Sequence, residues 1–187
     1  MRFVRLVIQE VVLLKELNLR NVTLMALVAF CLMQIGAQLY ALSVVASTVS
    51  AAPPRSFAML QGEYGYNSSA FWNTVPPITF VLFVIALVAN WKTPRRKLLL
   101  LALTLFVIGG LVAGLFLEPV FDEMKAIGFR DEVDPVLQRR AARWYALDWA
   151  VWAPGAVAGV TLLVALIRPV TATKAASVSG PHHAVEA

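Results

Sequence analysis

The stretch from Ala146 to Ile167 is apolar almost throughout, with Asp148 its only charged group, and a run of that length closes off most folds open to a chain of 187 residues. Roughly 20 apolar residues in helical form cross the hydrocarbon of a bilayer. Inside lipid the backbone must satisfy its own hydrogen bonds, so helix is the conformation such a run takes. The helix starts well before the run. Asp134 offers an N-cap oxygen, and Pro135 is the residue whose missing N–H costs nothing at the first helical position. Arg139, Arg140 and Arg143 keep the first turns in water or among headgroups, so the hydrocarbon begins near Trp144 and one helix is predicted from Asp134 to Arg168.

The rest of the chain fits round this helix. A hydrophobic content of 59% and a mean hydropathy of +0.73 exceed what an ordinary soluble domain carries. The pattern predicts an all-α integral membrane four-helix bundle over residues 21–168, with spans at about 22–47, 77–91, 98–117 and 146–167. Residues 1–20 mix apolar side chains with Arg2, Arg5, Glu10, Lys15, Glu16 and Arg20, which interrupt any signal-peptide core. They read either as an amphipathic helix lying on the membrane or as a cytosolic extension of the first span. Residues 169–187 form a small, polar, flexible tail.

The connections are equally distinctive. Between spans one and two, Pro53 and Pro54 can open a short helix that Gly62 and Gly65 can end. Phe57, Tyr64, Tyr66, Phe71 and Trp72 make this connection either an interfacial collar or a lid over a pocket. The turn after the second span holds Lys92, Arg95, Arg96 and Lys97 with no acid, and Thr93 with Pro94 begins the third helix, which continues past Glu118 and Pro119 to Gly128. Most of the 16 lysines and arginines fall on the side of that turn, which puts both termini in the cytoplasm of a bacterial inner membrane. The formal charge of +5 is accounted for by helix ends and implies no nucleic-acid partner. Cys31 lies alone in an apolar span, and His182 and His183 sit together in the tail, so no disulfide, haem or di-iron set is built into the bundle. No internal repeat marks a transporter of the inverted-repeat kind.

The polar residues inside the spans define a candidate site. Gln34 and Gln38 share a face of the first span, where they either bond to other helices or contact a ligand. Gly110 with Gly114 and Gly155 with Gly159 are small-xxx-small patterns that predict close approach of the third and fourth helices. That packing brings Glu118, Arg143, Trp144, Asp148 and Trp152 to one level, within reach of Gln38. Two readings stand side by side. In one, Asp148 or Glu118 is a general base or acceptor and Trp144 and Trp152 stack on an aromatic or quinone-like ligand. In the other, Arg143 is ion-paired with Glu118 or Asp148 and fixes helix register.

These residues also carry a resemblance. The layout resembles the anthrone-oxygenase-like family of four-span membrane proteins, most of which have no assigned function. It rests on the glutamine- and glycine-containing first span, the segment FAMLQGEYGYNSSAFWNTVPP, the basic turn, LEPVFDEM and VLQRRAARWYALDWAVW, across residues 22–168. The resemblance implies oxidation of a lipophilic anthrone to an anthraquinone by molecular oxygen, with neither metal nor flavin. Asp148 then takes the part of the base, Arg143 of its anion-stabilising neighbour, and Trp144 and Trp152 of the slot walls. No histidine lies in the bundle to serve instead. The alternative reading is a non-catalytic accessory or scaffolding subunit, whose glycine faces and outer aromatics contact a membrane protein partner or a second copy.

Overall fold

A computed structural model describes residues 19–169. The interfacial segment expected over residues 1–20 therefore falls almost wholly outside the described residues, as does the tail with its two histidines. Among the described residues the regular structure is entirely helical. Its four long helices are α1 (Leu19–Ala51), α2 (Ser69–Ala89), α3 (Arg96–Ile127) and α4 (Pro135–Ile167), each long and apolar enough to cross a membrane. The helices form a closed ring in which α1 packs on α2 and α4, and α3 on α2 and α4. The protein is an all-α membrane bundle of four helices.

Local chemistry sets the helix ends. The Asp134 carboxylate accepts hydrogen bonds from the backbone N–H groups of Val136 at 2.7 Å and Leu137 at 3.3 Å, which caps α4. The Thr93 hydroxyl oxygen accepts from the Arg95 backbone N–H at 3.3 Å just before α3. α3 passes through Pro119 and stops where Gly128 turns at φ 73°, a conformation glycine adopts without steric cost. Pro76 and Pro77 lie in the first turn of the main part of α2, Val75–Ala89, where no N–H donor is needed. α4 continues through Pro154.

The basic turn does more than mark topology. Arg95 is buried, and its guanidinium donates to the Asn21 side chain at 2.6 Å, the Leu166 carbonyl at 3.0 Å and the Arg168 carbonyl at 2.8 Å. It therefore ties the start of α1 and the end of α4 to the start of α3, and it satisfies carbonyls that the last turn of a helix leaves open. Arg96 instead lies over the Trp91 ring at 5.0 Å.

At 1.5 Å per residue, the 33 residues of α1 or of α4 extend about 50 Å, well beyond a hydrocarbon core of about 30 Å. Helices of that length carry two separate cores. The first core includes Leu24, Leu27, Phe83, Leu99 and Leu162. The second, at the far end, gathers Val45, Val49, Phe57, Leu60, Met124, Leu137 and Ala141. A 3₁₀ helix, Arg55–Leu60, follows α1 and supplies Phe57 and Leu60 to that core. Hydrogen bonds stitch this cap together: the Asp134 N–H to the Pro53 carbonyl at 3.0 Å, the Gln138 amide to the Ala51 carbonyl at 2.9 Å, and the Ser50 hydroxyl to the Ala141 carbonyl at 3.3 Å. Phe57 is thus core rather than interface, whereas Tyr64 is 93% exposed. The outer faces of the helices present Phe80, Val84 and Val88 on α2, Leu111 and Leu115 on α3 and Val160 and Val164 on α4 to the surroundings, as a bilayer requires.

Candidate functional site

Between the two cores the bundle does not close. A cavity of about 550 Å³ is bordered by all four helices and by the residues leading into α2. Its existence follows from the glycines. A Cβ placed on Gly109, Gly110, Gly114 or Gly155 would meet nothing within 4 Å, and all four line the space. The expected glycine-to-glycine approach of α3 and α4 is therefore absent at this level: their small residues leave room instead of filling it. Of the glycines in the two small-xxx-small patterns, Gly159 alone is tightly met, because a Cβ there would run into the Ile35 side chain of α1. The close contact that the fourth-helix pattern encodes is with α1.

Two helical irregularities border the same space. α1 is π-helical over Ala41–Ala46, and α3 over Ala113–Leu117. Ala41, Val45, Ala46, Ala113, Gly114 and Leu117 all line the cavity. A π turn widens the helix and shifts the facing residues by one position, which is why such turns collect at functional sites.

The polar side chains divide into those that hold the helices and those that face the space. Gln34 donates to the Thr79 hydroxyl of α2 at 2.5 Å, and Gln38 donates to the Asp148 carboxylate of α4 at 2.8 Å. Both glutamines bond across helices and both also border the cavity. Trp152 donates its indole N–H to the Ile35 carbonyl at 3.2 Å, and Trp144 donates to the Leu117 carbonyl at 3.1 Å. Phe121 stacks on Trp144 with ring centroids 5.1 Å apart. The two indoles are thus fixed wall elements, each held to a neighbouring helix by its N–H while its ring covers apolar surface.

Asp148 is buried, and Glu118 of α3 lines the same cavity. Asp122 and Lys125 line the same wall, one and two turns beyond Glu118 on α3. The cavity thus has an acidic end, carrying three carboxyl groups and one ammonium, and an apolar end formed by Cys31, Leu105, Phe106, Val151 and Ala158. Among the described residues no group of histidine, cysteine and carboxylate side chains could hold a metal ion.

Arg143 stands apart. It is exposed and borders a separate groove with Arg139 and Arg140, so neither Asp148 nor Glu118 has it as an ion-pair partner. Helix geometry gives the reason: five residues separate Arg143 from Asp148, which sets them about 140° apart, whereas Trp144, Asp148 and Trp152 recur every four residues on one face. Among the described residues the ion pair that forms joins Arg140 to Glu123.

Several lining residues lie outside the set that the sequence pattern singles out. Asp122 and Lys125 were legible from the continuation of the third helix to Gly128, since positions 118, 122 and 125 share one helical face. Phe106 gave no comparable signal, being one aromatic among many, whereas Trp72 belongs to the first connection, whose aromatics allowed a lid as well as a collar. Tyr66, Asn67, Ser68 and Ser69 line the cavity where the first connection enters α2, the position of a lid rather than of a distant collar.

No protein family, curated protein or solved structure matches the chain.

Proposed function

We propose that this protein binds a flat, lipophilic aromatic molecule in the cavity between its two cores, in the outer half of the membrane. A single observation carries the reading: a cavity of about 550 Å³, bordered by Trp144, Trp152, Gln38 and Asp148, stands where an accessory subunit would be filled by its own side chains. Sites of this kind combine largely apolar walls with a few placed polar groups. The ligand lies with its ring system against the glycine wall and its polar edge toward Asp148 and Glu118.

The resemblance to anthrone oxygenases adds a reaction to this binding mode. Asp148 accepts the acidic ring proton of an anthrone, and the resulting electron-rich anion reacts with molecular oxygen. One oxygen atom ends in the new carbonyl of the anthraquinone and the other leaves as water. A carboxylate within hydrogen-bond reach of the ligand's polar edge suits the first step. With Arg143 outside the cavity, Gln38 and Lys125 are the donors that border the developing anion.

The test begins with protein purified from its native membrane in mild detergent. Mass spectrometry of extracted small molecules should find an aromatic compound that is missing from Asp148→Asn and Trp152→Ala preparations. Added anthrone should yield anthraquinone with the wild-type protein and not with Asp148→Asn. Retention of ligand without turnover would leave a binding protein, and a stoichiometric protein partner with an empty cavity would replace the reading with the accessory-subunit one.

A further inference from the structure

A second concave site lies outside the cavity, where the first turns of α4 pass the π-helical part of α3. This groove, of about 420 Å³, is bordered by Phe116, Val136, Leu147 and the three arginines Arg139, Arg140 and Arg143. Arg140 is occupied by Glu123. The guanidinium groups of Arg139 and Arg143 are exposed and engage no acid or other side chain among the described residues. They lie one helical turn apart on the same face, a spacing at which two forked donors can share one phosphate.

The walls beside them are apolar and bare: Phe116 is 65% exposed and Leu147 58%. Both belong to helices long and apolar enough to cross a membrane, and the arginines stand where α4 passes from its charged turns into its apolar run. A pair of unpartnered cations directly above an apolar trough repeats the plan of a phospholipid in reverse, anionic headgroup over acyl chain. The positive-inside count assigns this end of the bundle to the less basic side, so topology gives no account of the arginines.

We infer that this groove is a specific site for one anionic phospholipid, its phosphate held by Arg139 and Arg143 and its acyl chain lying along Phe116 and Leu147. The site is independent of whatever occupies the cavity, from which Trp144 and Leu117 separate it.

Native mass spectrometry of the detergent-solubilised full chain, with phosphatidylglycerol or phosphatidylcholine added, tests the inference. One phosphatidylglycerol should remain bound through desolvation while phosphatidylcholine is lost. The double variant R139Q/R143Q should bind phosphatidylglycerol about thirtyfold more weakly, as expected for two basic contacts at a membrane surface. The variant K92Q/K97Q removes two exposed charges from the opposite end and should bind as the wild type does. Equal retention of the two lipids, or equal loss in both double variants, would overturn the proposal. So would displacement of the lipid by millimolar inorganic phosphate, or an acidic protein whose co-purification is lost in R139Q/R143Q.

Discussion

Gln38 and Asp148 join α1 to α4 by a hydrogen bond between two polar side chains at the cavity, and they set the polarity of the site. Replacing Gln38 by Leu removes the donor and leaves a buried carboxyl group without it, a change that costs about 1–3 kcal/mol. Thermal unfolding in detergent should show a clear drop in midpoint for Gln38→Leu. Asp148→Asn should unfold near the wild-type temperature, because its amide oxygen can still accept from Gln38. At this scale much was legible. A carboxyl group one turn inside an apolar span must find a partner, and Gln38 was within predicted reach. Arg95 was not legible: nothing in NWKTPRRK distinguishes the guanidinium that turns inward from its exposed neighbours. The direction of Arg143 was contained in helical spacing, but the acidic residues nearby made an ion pair the simpler expectation.

At the scale of the element, the glycines separate two roles that one sequence pattern cannot. Gly110 faces open space and Gly159 faces Ile35, yet both stand in the same small-xxx-small arrangement. The same substitution should therefore act differently at the two positions. Gly110→Leu should leave stability within about 0.5 kcal/mol of the wild type, because its side chain enters the cavity, and it should abolish binding of the aromatic molecule proposed for that space. Gly159→Leu must push α1 from α4 and should destabilise by about 1–3 kcal/mol. An alanine at Gly159 requires less, since the terminal methyl of Ile35 can swing aside. Thermal unfolding together with ligand extraction distinguishes the two cases. The helix limits themselves were readable from Asp134–Pro135, Thr93–Pro94 and Gly128. The π-helical turns were not, because one widened turn leaves an apolar run apolar.

For the whole molecule, the cap is what turns a bundle into a container. Gly65 holds its connection close: a Cβ there would stand 2.8 Å from the Leu60 and Gln61 backbone, which has no means of swinging away. Gly65→Ala should loosen residues 61–68, raising their cleavage in limited proteolysis and speeding release of the aromatic molecule proposed for the cavity. The membrane-crossing bundle should still unfold as one unit. The sequence by itself determined that four helices are long and apolar enough to cross a membrane, where α3 starts and stops and where α4 starts, and which face of α4 carries Asp148 and its flanking tryptophans. These are consequences of apolar length, capping chemistry and the helical repeat, all of which act within a single element. Only the tertiary structure decided that the glycines of α3 and α4 border a space, that α3 closes a groove of its own against the face carrying Arg143, and that the first connection contributes both a core and a cavity wall. Each of these depends on which faces of different helices meet, and the shapes of side chains far apart in the chain settle that.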